Sequence, residues 1–272
     1  MADLTTTSTQ ATEPIAPSRW RAGASRLVEG LISFAVLMLV VEGGIRLFDV
    51  QPYVFPAPSA IAVALYNGVA SGVYLNALSV TLTEILGGFA IGSFCGILLG
   101  IAMVQIPWLD RFVYPYVVAL QTVPKVAIAP LMIVWFGFGI SSKVALAAFI
   151  ATFPIVVATA AGLHASDENA RMLFKTMGAT RWQTLWRMKL PLGLPHIFTG
   201  LKIASVGVMA GAITGEFLGG GKGFGELIRV AAAQLNTPRI FSLILFLSLV
   251  GLALFWLVSF VERRIVFWRR RA

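Results

Sequence analysis

Apolar residues run on for about twenty positions at a time along this chain, broken by short segments where Lys, Arg, Asp, Glu, Gly and Pro collect. Runs of that length match the ~30 Å hydrocarbon core of a bilayer at ~1.5 Å per helical residue, whereas barrel strands would alternate over about ten residues. The pattern predicts an all-α integral membrane protein with six transmembrane helices, over residues 27–47, 77–104, 112–138, 143–163, 194–218 and 240–261. Residues 26–265 then form one membrane-spanning domain between a polar tail at 1–25 and a basic tail at 266–272. The Thr-, Ser- and Pro-rich start has neither the basic nor the apolar region of a secretory signal, and its composition predicts disorder.

Departures from pure hydrocarbon mark most of the six runs. In the first, Glu42 and Arg46 are spaced to pair on one helix face. A Pro-bearing connection over 51–59 follows, with Ser59 placed to cap a short helix over 60–66. In the second, Gly88, Gly92, Gly96 and Gly100 repeat every fourth residue and let another helix approach closely. Glu84, in the same run, is costly in lipid and should face protein or water. Pro124 and Pro130 should kink the third run. Lys125, just after the first of them, either lines a path near mid-membrane or reaches out to the cytoplasmic face. The fourth run contains Pro154; the fifth contains Lys202 and, near its far end, Glu216. Glu84, Lys125 and Glu216 are the candidates for lining a solute path. A glycine-rich turn and short helix over 219–238 precede the last run.

The longest polar interruption, residues 166–191, separates the fourth and fifth runs and reads as two short helices around a glycine. Ser166 is placed to cap the first, whose opening turn holds Asp167 and Glu168 at the positive end of the dipole. That helix should stop at Gly178. Thr180 then opens the second as a capping box with Gln183, and Pro191 should close it. Basic side chains (Arg171, Lys175, Arg181, Arg187, Lys189) alternate with Met172, Leu173, Met177, Trp182, Leu185 and Trp186, a mixture suited to a membrane surface.

Composition narrows the function classes. With 58% apolar and only 12% charged residues and a mean hydropathy of +0.84, the chain lies far from soluble proteins. Its net charge of +9 forms no basic stripe with interleaved exposed aromatics, which argues against nucleic acid as a partner. The charge reports topology instead. With the N-terminus inside, fourteen Lys and Arg residues fall on the cytoplasmic side and five (Arg46, Lys143, Lys222, Arg229, Arg239) on the other. Both termini and the 166–191 loop are therefore expected in the cytoplasm of a multi-pass inner-membrane protein. Cys95, the single cysteine, reads as core packing. Around Gly221-Lys222 the glycines lack both Walker A spacing and a following Ser or Thr, and His164 and His196 stand without a ligand cluster, so neither a phosphate loop nor a metal site is expected. No catalytic constellation is present.

A short helix, Gly-Ala, a second short helix and Leu-Pro resembles the cytoplasmic coupling loop in permease subunits of bacterial binding-protein-dependent ABC importers. That family's pattern, E-A-A, three residues, G, nine residues, I-x-L-P, falls on Met172, Leu173 and Phe174, then Gly178, then Met188, Leu190 and Pro191. The glycine, its following alanine and Leu-Pro match; the acidic residue and both alanines are replaced by bulky apolar residues. Residues 123–143, V-P-K-V-A-I-A-P-L-M-I-V-W-F-G-F-G-I-S-S-K, resemble the branch serving aliphatic sulfonates, taurine and nitrate, and the likeness covers about residues 50–265. The resemblance implies a non-catalytic subunit that dimerises with itself in membrane lipid. It further implies cytoplasmic ABC ATPase subunits that bind the ATP, and a periplasmic or lipid-anchored solute-binding protein that delivers a small anionic or polar solute. Asp167, Glu168, Arg171, Met172, Phe174, Lys175, Gly178, Ala179, Thr180, Leu190 and Pro191 would then form the ATPase-coupling loop. A stand-alone secondary transporter or channel is the alternative, for which coupled charges and an inverted repeat would be the signature.

Overall fold

With apolar side chains at nearly every position, the long runs can satisfy their backbone groups only within themselves, and each folds as a helix. The structure, a computed structural model, describes residues 19–165 and 168–268. Its helices are α1 (Arg19–Leu47), α2 (Pro58–Ala70), α3 (Val73–Gln105), α4 (Pro107–Thr122), α5 (Lys125–Phe136), α6 (Ile140–His164), α7 (Glu168–Thr176), α8 (Arg181–Thr184), α9 (Leu190–Gly219), α10 (Phe224–Ala233) and α11 (Thr237–Ile265). Five of these helical stretches are long and apolar enough to cross a bilayer, and the pair α4 and α5, taken as one broken span, makes six. The helix of α1 already runs at Arg19, within the stretch assigned from sequence to the tail; residues 1–18 and 269–272 lie outside the described residues.

Small residues decide what sits at the centre. α6 lies between α3 and α9 and is packed against both far more extensively than any other pair of helices. On the α3 side the expected glycine face is realised: a methyl group at Gly92 would come within 2.7 Å of the Ala148 carbonyl oxygen, one at Gly96 within 2.8 Å of Ile155 Cβ, and one at Gly100 within 2.6 Å of Thr159 Cβ. α9 uses the same device from the other side. A methyl at Gly200 would meet Ala158 Cβ at 2.6 Å and one at Gly211 the Ala147 Cα at 2.9 Å. Backbones this close gain dispersion contact over their whole length, which is the main attraction left between helices whose lipid solvent is as apolar as they are.

Three local expectations change. The third run does not merely kink; it breaks, and α4 and α5 meet at 103°. Pro124 carries no N–H, and Val123 before it is extended at ψ 131°, as the proline ring requires of its predecessor. Pro130, by contrast, stays inside α5. Ser59 does not cap the short helix: α2 starts at Pro58 with Ala57 before it. Instead the Ser59 N–H (2.9 Å) and hydroxyl (2.7 Å) donate to the Glu42 carboxylate, which also accepts from Arg46 Nη2 at 2.6 Å. Glu42 thereby ties α1 to α2. Finally, Pro191 closes nothing, for a reason that belongs to the loop.

Candidate functional site

The loop between α6 and α9 is built around two backbone devices. α7 carries Glu168 in its first turn and Lys175 in its last, each at the favourable end of the dipole. Ser166 and Asp167 lie outside the described residues. At the other end the helix stops in a Schellman closure: the Gly178 N–H donates to Lys175 O at 3.1 Å and the Ala179 N–H to Phe174 O at 3.0 Å. Gly178 sits at φ +71°, a left-handed conformation that only glycine adopts at little cost. Thr180 then forms the expected capping box, its Oγ1 accepting from the Gln183 N–H at 3.2 Å while Gln183 Oε1 accepts from the Thr180 N–H at 2.9 Å.

Beyond that box the chain departs from expectation. α8 passes through a wider π-helical turn, Leu185–Lys189, straight into α9. Proline within a helix orphans one carbonyl and crowds the carbonyl four residues back. Widening the turn just before Pro191 relaxes that crowding: the Leu190 N–H bonds Leu185 O, five residues back rather than four. Leu190 and Pro191 are the first turn of a span, not the end of a loop helix.

The corner has two faces. Leu185 and Met188 are buried against the bundle, whereas Met172, Leu173, Met177, Trp182 and Trp186 are each more than half exposed. The Trp182 and Trp186 rings stand edge to face at 5.6 Å. Phe174, which the sequence places with Met172, is half-buried.

At the opposite end of the spans, polar groups are buried instead. Glu84 on α3 and Glu216 on α9 are both fully buried, with their carboxyl groups beside one another. Lys143, in the first turn of α6, is 3% exposed and places Nζ 3.5 Å from Glu84 Oε1. Thr81 donates to Glu216 Oε1 at 2.6 Å, and the Gly225 N–H donates to Oε2 at 2.5 Å. The Phe224 N–H in turn donates to Thr81 Oγ1 at 3.0 Å. This accounts for the glycine-rich turn. A methyl at Gly223 would overlap the Glu216 carboxylate, and one at Gly221 would sit 2.5 Å from Lys143 Nζ; the chain is glycine-rich there because it closes directly over an ion cluster.

Of the three residues expected on a solute path, Glu84 and Glu216 are thus brought together in one buried cluster, while Lys125 stands apart as the half-buried first residue of α5, at the 103° bend. Lys143 was missed. Counting it among outward-facing loop residues ignored a signal that was present: two carboxylates on apolar spans need a cation, and Lys143 stands at the head of a third. Two further pairs join spans near their other ends, Lys202 with Glu262 and His164 Nε2 with Asp110 Oδ2 at 3.3 Å.

A bundle of apolar helices packed through glycine, a broken span, and a helix-glycine-helix corner left exposed between two of the helices define a multi-span membrane protein. The model of the family described as binding-protein-dependent transport system inner membrane component matches residues 88–267, and the chain belongs to that family. It is 36% identical to the formylaminopyrimidine transport permease protein ThiX of Halalkalibacterium halodurans, over 90% of this chain and 97% of the relative. It is 33% identical to the riboflavin transport system permease protein RibX of Chloroflexus aurantiacus, over 87% and 88% of the two chains. The taurine transport system permease protein TauC of Escherichia coli is 26% identical, over 92% and 93%. The fold is that of a chain of the MetNI methionine ABC transporter in an inward-facing conformation, with a TM-score of 0.60 at 21% identity, covering 73% of this chain and 97% of that one. The protein is an ABC importer permease and a multi-pass inner-membrane protein.

Proposed function

We propose that two copies of this chain form the translocation path for a small polar solute handed over by a solute-binding protein, and that the 168–191 corner couples the path to ATP hydrolysis on separate cytoplasmic ATPase subunits. The observation that carries this reading is the corner itself. Its outward side chains are Met172, Leu173, Met177, Trp182 and Trp186, and its inward ones are Leu185 and Met188, in direct continuity with α9. A push on the exposed face is therefore delivered to a 30-residue helix that packs along α6, and not dissipated in a slack loop. The excess of Lys and Arg on this side supports a cytoplasmic corner and cytoplasmic termini.

The identities favour one solute class. The relatives at 36% and 33% are named for a formylaminopyrimidine and for riboflavin, both nitrogen heterocycles, and the taurine permease stands lower at 26%. A polar heteroaromatic compound accordingly takes precedence over a sulfonate or nitrate-like anion. The test is co-purification in detergent followed by ligand binding: an ATPase and a solute-binding protein should accompany the permease, and the binding protein should take a pyrimidine or flavin in preference to taurine. A permease that transports alone in proteoliposomes would overturn the coupled reading; a binding protein that prefers taurine would overturn the solute class alone.

A further inference from the structure

Between the corner and the junction of α3 with α4 lies a cavity of about 530 Å³ lined in large part by charged side chains, in contrast to the apolar outward face of the corner. Arg171 and Lys175 reach it from successive turns of α7, Arg181 from the start of α8, and Lys189 from the end of the π-helical turn; Glu168 is its one carboxylate among the described residues. Among the described residues none of these four cations is held in an ion pair. Lys189 is half-buried and close enough to Arg171 for their charges to repel. Like charges crowded into one partly enclosed cavity are unfavourable unless an anion joins them.

The wall of the cavity says which anion reaches it. Gln105 closes one side, its Nε2 donating to the Arg181 carbonyl at 3.4 Å. Gln105 is the last residue of the membrane-spanning α3, and Trp108, three residues on, is exposed. Indole rings settle at the headgroup level of a bilayer, and basic pockets at the cytoplasmic ends of spans suit anionic headgroups. We propose that this cavity binds the phosphate of an anionic phospholipid headgroup, so that the orientation of α7 relative to α3 and α4 depends on the lipid beside it. Arg171 and Arg181 supply planar donor forks that match phosphate oxygens in pairs, and Lys175 and Lys189 add point charge.

Native mass spectrometry of the transporter, purified as the complex in which the permease is expressed and exchanged into mixed micelles of phosphatidylglycerol and phosphatidylcholine, tests this. Wild type should retain phosphatidylglycerol over phosphatidylcholine, Arg171→Gln/Lys175→Gln should lose that preference about tenfold or more, and Glu168→Gln should strengthen it. Arg187→Gln, an exposed cation of the same corner that does not line the cavity, should leave it unchanged. If Arg171→Gln/Lys175→Gln does not assemble, Arg181→Gln takes its place with the same expected loss. Equal retention by wild type and the cavity variants, or equal loss in Arg187→Gln, would overturn the site. Binding of millimolar inorganic phosphate with no preference among lipids would overturn the lipid as its source, and loss of phosphatidylglycerol only when the ATPase is present would assign the cavity to an acidic group of that subunit instead.

Discussion

Lys143 Nζ lies 3.5 Å from Glu84 Oε1 with both side chains out of contact with solvent, and the Glu216 carboxylate beside them is bonded by Thr81 and the Gly225 N–H. One ion pair and a second, hydrogen-bonded carboxylate thus meet where α3, α6 and α9 come together. Removing one partner of a buried ion pair strands the other and typically costs about 3–5 kcal/mol, while replacing both by neutral groups costs far less.

Lys143→Met is therefore expected to lower the thermal unfolding midpoint of the detergent-solubilised permease sharply. Glu84→Gln should cost less, because among the described residues neither Glu84 oxygen accepts a hydrogen bond and a second carboxylate, Glu216, stays in the cluster with its own bonds from Thr81 and Gly225, and Lys143→Met/Glu84→Gln should recover much of the loss. A double-mutant cycle on the unfolding midpoints reads this directly, and additive losses would mean that the two side chains are not coupled.

The fold was largely legible because lipid makes it so: a long apolar run can only be a helix, and a fourfold glycine repeat can only be a close-packed face. Gly88 to Gly100, Gly178 and the Thr180 to Gln183 box all follow from local rules. What escaped depends, except at Pro191, on partners distant in sequence. Ser59 satisfies local capping rules, yet a carboxylate seventeen residues earlier takes its hydroxyl. Pro191 reads as a stop, yet a π-helical turn absorbs it. Lys143 reads as a loop cation until Glu84 is placed beside it. The 219–225 glycines read only as a turn, and the reason for them is the side chains of α6 and α9 underneath.

The glycine face gives a graded prediction. A Cβ at Gly96 would meet Ile155 Cβ at 2.8 Å and the Thr152 carbonyl oxygen at 2.9 Å, neither of which can swing away, whereas at Gly87 the nearest atoms are Val144 methyls at 3.5 Å. Gly96→Leu should force α3 from α6 and destabilise by about 1–3 kcal/mol or more. Gly87→Ala should be tolerated. Folded yield by size-exclusion chromatography is the measurement, and equal yields for both variants would contradict the packing described.

Lys125 is half-buried at the head of α5, where α4 turns through 103°, and its charge has no role in the ion cluster of Glu84, Lys143 and Glu216. If it attracts solute at the broken span, Lys125→Met keeps the volume of the stem, removes the charge, and should lower uptake in proteoliposomes severalfold with assembly intact. Lys125→Arg should retain most of it. Uptake unchanged in Lys125→Met would leave the ammonium as a group that merely reaches for water.

Gly178 gives the test of coupling. Among the described residues, chain neighbours aside, no atom lies within 4 Å of where a Cβ would stand, so the main obstacle to a substitution there is the backbone itself, held at φ +71°. Left-handed backbone costs a β-branched residue roughly 1–2 kcal/mol or more and asparagine much less. Gly178→Val should therefore open the Schellman closure and change the angle between α7 and α8, tilting Met172 and Leu173 relative to Trp182 and Trp186. The spans are untouched, and insertion should be normal. In reconstituted vesicles with the ATPase and binding protein, solute-stimulated ATP hydrolysis and uptake should fall together in Gly178→Val and remain near wild type in Gly178→Asn. Because the two variants differ in backbone preference and not in available space, that ordering separates a turn that sets the coupling geometry from one that merely tolerates small residues; full ATP-coupled uptake in Gly178→Val would remove the corner from the coupling path.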